Sequence, residues 1–125
     1  VSMIMDAGWS SFFLSYWHRD QQEFSLEQSI NYLTAKQARI IGLQDRGSLE
    51  MGKRADINII DIDQLAERQP IRVQDFPGGA PRFIQRAIGY QNTIVNGQVI
   101  LENDELTGEV GGQIIRNQSK YSVKG

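Results

Sequence analysis

The chain contains no cysteine and one histidine. The first absence removes disulfides, thiolate metal sites and a cysteine nucleophile, and it suits a reducing cytosol. The second restricts metal chemistry. Catalytic zinc takes three protein ligands, commonly histidines, and His18 stands alone between Trp17 and Arg19. Neither sign of charge dominates, with 13 Lys and Arg against 15 Asp and Glu. The net charge is −2, so no field exists to hold nucleic acid or an anionic membrane, and neither is expected as a partner. No apolar stretch approaches the roughly 20 residues of a membrane span. The first residues lack the basic start and long apolar region of a signal peptide, so the expected location is cytoplasmic. The patterns H-x-H, H-E-x-x-H, G-x-S-x-G and G-x-x-x-x-G-K-[ST] are missing. On its own motifs the chain assembles no common active site.

What is present reads as one ordinary domain with a modest core. The 125 residues are 40% hydrophobic and 22% charged, close to globular averages. The chain opens VSMIMDAGWSS. Val1, Met3, Ile4 and Met5 run straight into Asp6. A carboxylate at the mouth of an apolar run is either a turn former or a group aimed at a site. The residues alone leave both readings open.

The first third reads as helical. Ser10 or Ser11 is placed to cap FFLSYWHRDQQ, in which Phe12, Phe13, Tyr16 and Trp17 form one broad apolar face. Two capping boxes follow, Ser25 with Gln28 and Thr34 with Gln37, and Phe24 holds the staple position. Leu26, Ile30 and Leu33 line one face of the first of these helices, and Ala38 and Ile41 line the second. Gly42 supplies a left-handed stop with Leu43 folding back.

From Gly47 the pattern turns to β structure. MGKR is a turn. In ADINIID, Ile57 and Ile59 share one face, and Asn58 and Ile60 the other. NTIV and QVIL flank Asn96-Gly97, which suits a type I′ hairpin. DFPGGAPR is expected to be irregular. QIIRN is a candidate short strand, and the chain from Gln118 on reads as a flexible tail.

The stretch LTAKQARIIGLQDRGSLEMGKRADINIIDIDQL resembles the C-terminal region of metal-dependent amidohydrolases. The resemblance is greatest to the N-acyl-D-amino-acid deacylase (D-aminoacylase) branch. It rests on Thr34, Ala38, Gly42-Leu43, Asp45-Arg46-Gly47, Leu49, Gly52, Ala55-Asp56 and Asp61. It continues through DFPGGAPRFIQRAIGYQNTIVNGQVI and TGEVGGQIIR, and upstream into SYWHRDQQEFSLEQSI. The D-R-G and P-G-G-x-x-R elements are what point to the deacylase branch.

The resemblance implies a (β/α)₈ barrel joined to a small β-rich domain. A barrel needs roughly 250 residues, so a C-terminal piece is expected here. The expected class is α+β. Residues 1–46 would be the terminal strand and helices of the barrel. Residues 47–117 would belong to the β-sandwich domain, and 118–125 to the tail. MIMDAG is similar to the end of the eighth barrel strand, whose aspartate sits at the metal and handles the proton of the attacking water. Asp6 is thereby the one candidate catalytic and metal-binding residue. Zinc is the implied cofactor of the parent family, with none expected on this chain alone.

The implied reaction of the intact enzyme is hydrolysis of the C–N amide bond of N-acyl-(D-)amino acids, and the chain alone is expected to be inactive. The alternative is a non-catalytic structural or oligomerisation module. In either case a homodimer or larger assembly is expected, because helix faces and strand edges would otherwise lie open.

Other conspicuous residues have plainer readings. His18 is a surface or half-buried helix residue. Phe12, Phe13, Tyr16 and Trp17 would pack against the absent barrel. Asp45-Arg46 forms a local ion pair that shapes the turn into the β-rich part. Asp56 and Asp61 cap turns. Arg82 and Arg86 are either solvated charges or partners of an anionic substrate carboxylate in the intact enzyme.

Overall fold

The structure, a computed structural model, describes residues 7–115. Asp6, Arg116, Asn117 and the 118–125 tail lie outside the described residues.

Helix α1 (Trp9–Phe12) passes without a break into a π-helical segment, Phe13–Asp20. Neither Ser10 nor Ser11 caps it: Gly8 occupies the N-cap position and no side chain bonds there. Ser11 lies inside the helix, buried, and shares a 2.9 Å hydrogen bond with the Tyr90 hydroxyl. Its hydroxyl is spent on a tertiary contact instead of a cap. At the end of the wide π turns the Gln21 N–H donates to the Tyr16 carbonyl five residues back.

The buried face consists of Ser11, Leu14 and Ser15. The small serines let the helix approach the strands, and α1 contacts Ala66–Glu67. The expected aromatic face is therefore largely the outer one. Phe12, Tyr16 and Trp17 are 38–40% exposed. Phe12 stacks on Tyr16 at 4.9 Å, and Tyr16 meets Trp17 edge-on at 5.1 Å. Phe13 turns the other way, to Phe24 at 5.4 Å.

Helix α2 (Leu26–Leu33) starts in the expected capping box. The Gln28 N–H donates to Ser25 Oγ, and the Ser25 N–H donates to Gln28 Oε1. Phe24 packs on Phe13 and Tyr32 instead of stapling to Ser29. Ser29 is wholly buried, whereas Leu26 and Ile30, expected inside, are 43% and 39% exposed. The helix meets the π-helical segment, and a small residue permits that approach where leucine would not.

Thr34 does stand at the start of α3 (Ala35–Ile40), but its hydroxyl donates back to the Ile30 carbonyl at 2.6 Å and makes no cap bond. The preceding helix end competes for it and wins, so the second capping box does not form. At the far end Leu43 N–H donates to Ala38 O, and Gly42 N–H to Arg39 O, with Gly42 at φ +78°. This is the stop expected from Gly42-Leu43. Ala38 is buried as expected, but Ile41 is largely exposed.

The β-rich part contains β1 (Ile57–Ile60), β2 (Ala66–Glu67), β3 (Ile71–Val73), β4 (Arg82–Ile84), β5 (Ala87–Ile88), β6 (Tyr90–Val95), β7 (Gln98–Glu102) and β8 (Glu105–Leu106). Four of them form one antiparallel sheet in the order β1-β6-β7-β8, while β2 pairs with β5 and β3 with β4. Simple alternation fails in β1. Ile59 faces Asn92 but Ile60 faces Tyr90, so Gln91 is an extra residue in β6. This bulge leaves Ile57 and Ile60 half-buried and Ile59 exposed.

Asn96 and Gly97 have φ of +52° and +83°, as a type I′ turn requires. Val95 faces Gln98 and Ile94 faces Val99, with a further irregularity between Thr93 and Ile94. A second two-residue turn, Asn103-Asp104 (φ +49° and +65°), adds β8. The P-G-G stretch forms a 3₁₀ turn, Pro77–Gly79, between β3 and β4. Residues 113–115 form no strand.

The buried apolar side chains among the described residues are Leu14, Ala38 and Leu65. Leu65 is 0% exposed. Its backbone lies against Gly89, where a Cβ would stand 2.8 Å from both Leu65 Cα and Leu65 N.

Two substitutions and one control test this frame. Gly97→Val should cost about 1–2 kcal/mol in urea unfolding, the cost of a side chain in the left-handed region; an unchanged midpoint would reject the type I′ turn. Gly89→Ala, at φ +95° and against the Leu65 backbone, should cost about 2 kcal/mol or more. Gly112→Ala, with nothing near its Cβ position, should stay within about 0.5 kcal/mol.

Candidate functional site

The densest polar constellation joins two neighbouring loops to a turn forty residues further on. The loop after α3 supplies Asp45 and Arg46. The turn before β1 supplies Arg54 and Asp56, and the β6–β7 turn supplies Asn96. Arg46 bonds Asp45 at 3.1 Å and Asp56 at 2.8 Å. Arg54 reaches Asp45 at 3.3 Å and Asn96 Oδ1 at 2.7 Å. Asp56 Oδ1 accepts the Asn96 N–H at 2.8 Å. Main-chain bonds reinforce the clasp: Arg54 N–H to Asp45 O and Gly97 N–H to Ala55 O.

The expected local Asp45–Arg46 pair is thus one edge of a larger network. The network reaches Arg54 and Asn96, which the sequence placed in turns without pairing them. Asp56 caps the β6–β7 turn, forty residues away in sequence. The Arg46 hydrogen bond, assisted by Arg54, holds the Asp45 carboxyl below the usual carboxylate range. Asp45 in turn raises the Arg46 guanidinium. These charges are spent on one another, and the chemistry available here is to fix three loops.

Arg82, a candidate for a substrate carboxylate, is engaged within its own hairpin. It forms two 2.6 Å bonds to Asp75 and lies over the Phe76 ring at 5.3 Å. The paired guanidinium depresses the Asp75 carboxyl. Arg86 is exposed and lies 3.7 Å from Glu105. His18 is half-buried, and its Nδ1–H donates to the Phe24 carbonyl at 2.9 Å. Asp61 Oδ1 accepts the N–H groups of Asp63 and Gln64, closing a turn as expected.

Sequence reading missed Arg19. Its Nη1 donates to the carbonyls of Ile62, Asp63 and Leu65 at 3.0, 3.3 and 2.8 Å, and its Nε bonds Asp20. Only the neighbouring Asp20 was visible locally.

Asp6, the sequence candidate for chemistry and metal, lies outside the described residues. Among the described residues no group of three or more His, Cys, Asp or Glu side chains is placed to hold a metal ion. The described residues therefore do not fit a zinc site by themselves. No helix among them is long and apolar enough to cross a membrane.

Comparison with known proteins adds the family context. The model of the amidohydrolase family matches residues 3–101. A dihydroorotase of Lactobacillus acidophilus is 38% identical over 80 residues, covering 63% of this chain and 19% of that protein. An N-acyl-D-glutamate deacylase of Alcaligenes xylosoxydans xylosoxydans is 37% identical over 62 residues, covering 48% of this chain and 13% of that protein. An allantoinase of Solibacter usitatus is 27% identical over 112 residues, covering 84% and 23%. The chain thus spans about a fifth or less of the length of the first two. No solved structure matches.

The depressed Asp45 and Asp75 carboxyls carry a pH signature. Their folded pKa lies below the unfolded value of about 4, so their stabilisation is complete above that value and is lost as pH falls through the folded pKa. The melting temperature should be flat from pH 7 to about 5 and then decline. Asp45→Asn should lower the plateau and shrink the acid decline. An Asp45→Asn profile that overlays the parent's would show that the clasp contributes nothing.

Proposed function

The chain belongs to the amidohydrolase family, and on that premise we propose that it is the C-terminal part of an enzyme that hydrolyses the amide C–N bond of N-acyl-(D-)amino acids. The family match across residues 3–101 carries the hydrolase reading. The deacylase reading is supported by D-R-G at Asp45-Arg46-Gly47, by P-G-G-x-x-R ending at Arg82, and by the similarity to the N-acyl-D-glutamate deacylase. Dihydroorotases are also among the relatives, so a cyclic amide is the competing substrate class.

In this proposal Asp6 is the residue of this chain that does chemistry. It takes the proton of the attacking water as the new C–O bond forms, and delivers it to the nitrogen as the C–N bond breaks. The zinc implied by the family resemblance would be held by ligands outside 7–115. Residues 45–56 and 93–99 hold the β-rich part in one arrangement and take no part in the reaction. The second reading, a non-catalytic assembly module, draws support from Trp9, Phe12, Tyr16 and Trp17, all 38–52% exposed.

The test is an assay of the intact polypeptide containing this chain, purified with zinc, on N-acetyl-D-glutamate, its L-isomer, dihydroorotate and allantoin. We expect release of acetate from the D-isomer, and a loss of about 10²-fold or more in Asp6→Asn with the fold retained. Turnover of dihydroorotate or allantoin alone would reject the deacylase reading. Absence of turnover on all four would favour the assembly module.

A further inference from the structure

We propose that Asn96 is a self-modification site governed by the clasp. With the clasp closed, the Gly97 nitrogen is withheld. With it open, Asn96 and Gly97 close into a succinimide that water opens to isoaspartate, and the β6–β7 turn can no longer re-form its contacts.

The reaction needs a nucleophile, an electrophile and free access between them. The nucleophile is the Gly97 main-chain nitrogen once it loses its proton. The electrophile is the Asn96 side-chain amide carbon, Cγ. A new N–Cγ bond closes a five-membered ring, and the side-chain nitrogen leaves as ammonia, carrying the proton. Water then adds to one of the two ring carbonyls and breaks that carbon's bond to nitrogen. Opening at the main-chain carbonyl of residue 96 routes the chain through its side chain, one atom longer, as isoaspartate. Opening at Cγ gives aspartate.

The first observation is the pair itself. Asn96 is followed by glycine, whereas Asn31, Asn58, Asn92, Asn103 and Asn117 are all followed by residues with side chains. Glycine has no Cβ to screen its nitrogen. Open space lies where a Cβ of Gly97 would stand, and both residues are exposed to water.

The second observation is what holds them. The Gly97 N–H donates to the Ala55 carbonyl at 3.0 Å. The Asn96 N–H donates to Asp56 Oδ1 at 2.8 Å, and Asn96 Oδ1 accepts from Arg54 at 2.7 Å. Arg46 steadies the set through Asp56. Two of these effects oppose each other. The Arg54 guanidinium draws electrons from Cγ and favours attack, while the Ala55 contact keeps the proton on the nitrogen that must lose it. The Ala55 contact decides, because a protonated amide nitrogen does not attack however polarised the carbon is.

Reaction therefore waits on local opening, and its rate follows the open population. An extra main-chain atom does not match a two-residue turn, so each event is permanent. The turn records how often the hairpin tip parts from residues 54–56.

The test is peptide mapping by mass spectrometry of the intact polypeptide containing this chain, aged in neutral buffer with and without urea. Tryptic cleavage after Arg86 and Arg116 releases 87–116, which carries Asn92 and Asn103 as internal controls beside Asn96. In urea Asn96 should convert far ahead of both. In the native protein its conversion should be about tenfold slower or more. Arg54→Ala and Asp56→Ala should each raise the native rate about threefold or more, with Asn92 and Asn103 unchanged. In the isoaspartyl fraction, the amides of 54–58 and 93–99 should exchange faster than in the unmodified protein. Equal native and urea rates would overturn the proposal, and that comparison needs no variant to fold. A slower rate in Arg54→Ala would overturn it as well, by showing that polarisation of Cγ dominates. So would amide exchange that isoaspartate leaves unchanged.

Discussion

Arg19 sends one guanidinium nitrogen to the carbonyls of Ile62, Asp63 and Leu65, and most of the remaining arrangement depends on that contact. The loop 61–65 leaves β1 with carbonyls that no strand pairs, and a charged planar donor is well suited to collecting several at once. With the loop held, Leu65 is wholly buried. Its backbone closes on Gly89, where any side chain would collide. Asp104 then takes the N–H groups of Gly89 and Tyr90, and the Tyr90 hydroxyl returns to Ser11 on α1. Helix, loop and sheet are tied through one circuit of polar contacts around a single leucine.

The Asp45–Arg46–Arg54–Asp56–Asn96 clasp works differently. Its members are partly exposed, and isolated surface ion pairs contribute little. Its value lies in connection: the turn before β1 holds the tip of the hairpin, Arg54 by the Asn96 side chain and Asp56 by the Asn96 N–H. The D-R-G, R-A-D and N-G elements are the most recognisable parts of the chain, and they meet here. They are architecture. That is why amidohydrolase membership is legible in motifs whose charged residues are spent on one another.

Large apolar side chains face outward on both helical and β parts. Phe12, Tyr16, Trp17, Leu26 and Ile30 are each about two-fifths exposed, and Ile40 and Ile41 about two-thirds. Only Leu14, Ala38 and Leu65 are buried apolar residues among those described.

Local chemistry alone determined several elements. The Ser25–Gln28 box, the Gly42-Leu43 stop and the Asn96-Gly97 turn each depend on residues within a few positions of one another, so the sequence contains all their causes. Family membership was legible for the same reason, being a matter of ordered turn residues. Tertiary structure decided the rest. Which helix face turned inward was set by what the neighbouring elements could admit, and Ser11, Leu14, Ser15 and Ser29 fitted where the aromatics, Leu26 and Ile30 did not. Thr34 lost its capping role to a carbonyl of the preceding helix. The alternation of β1 was broken by Gln91, on a strand thirty residues later. Arg19 found its partners more than forty residues away. Periodicity records what one element can do by itself; burial and hydrogen bonding depend on which other element arrives, and that is known only once the chain has folded.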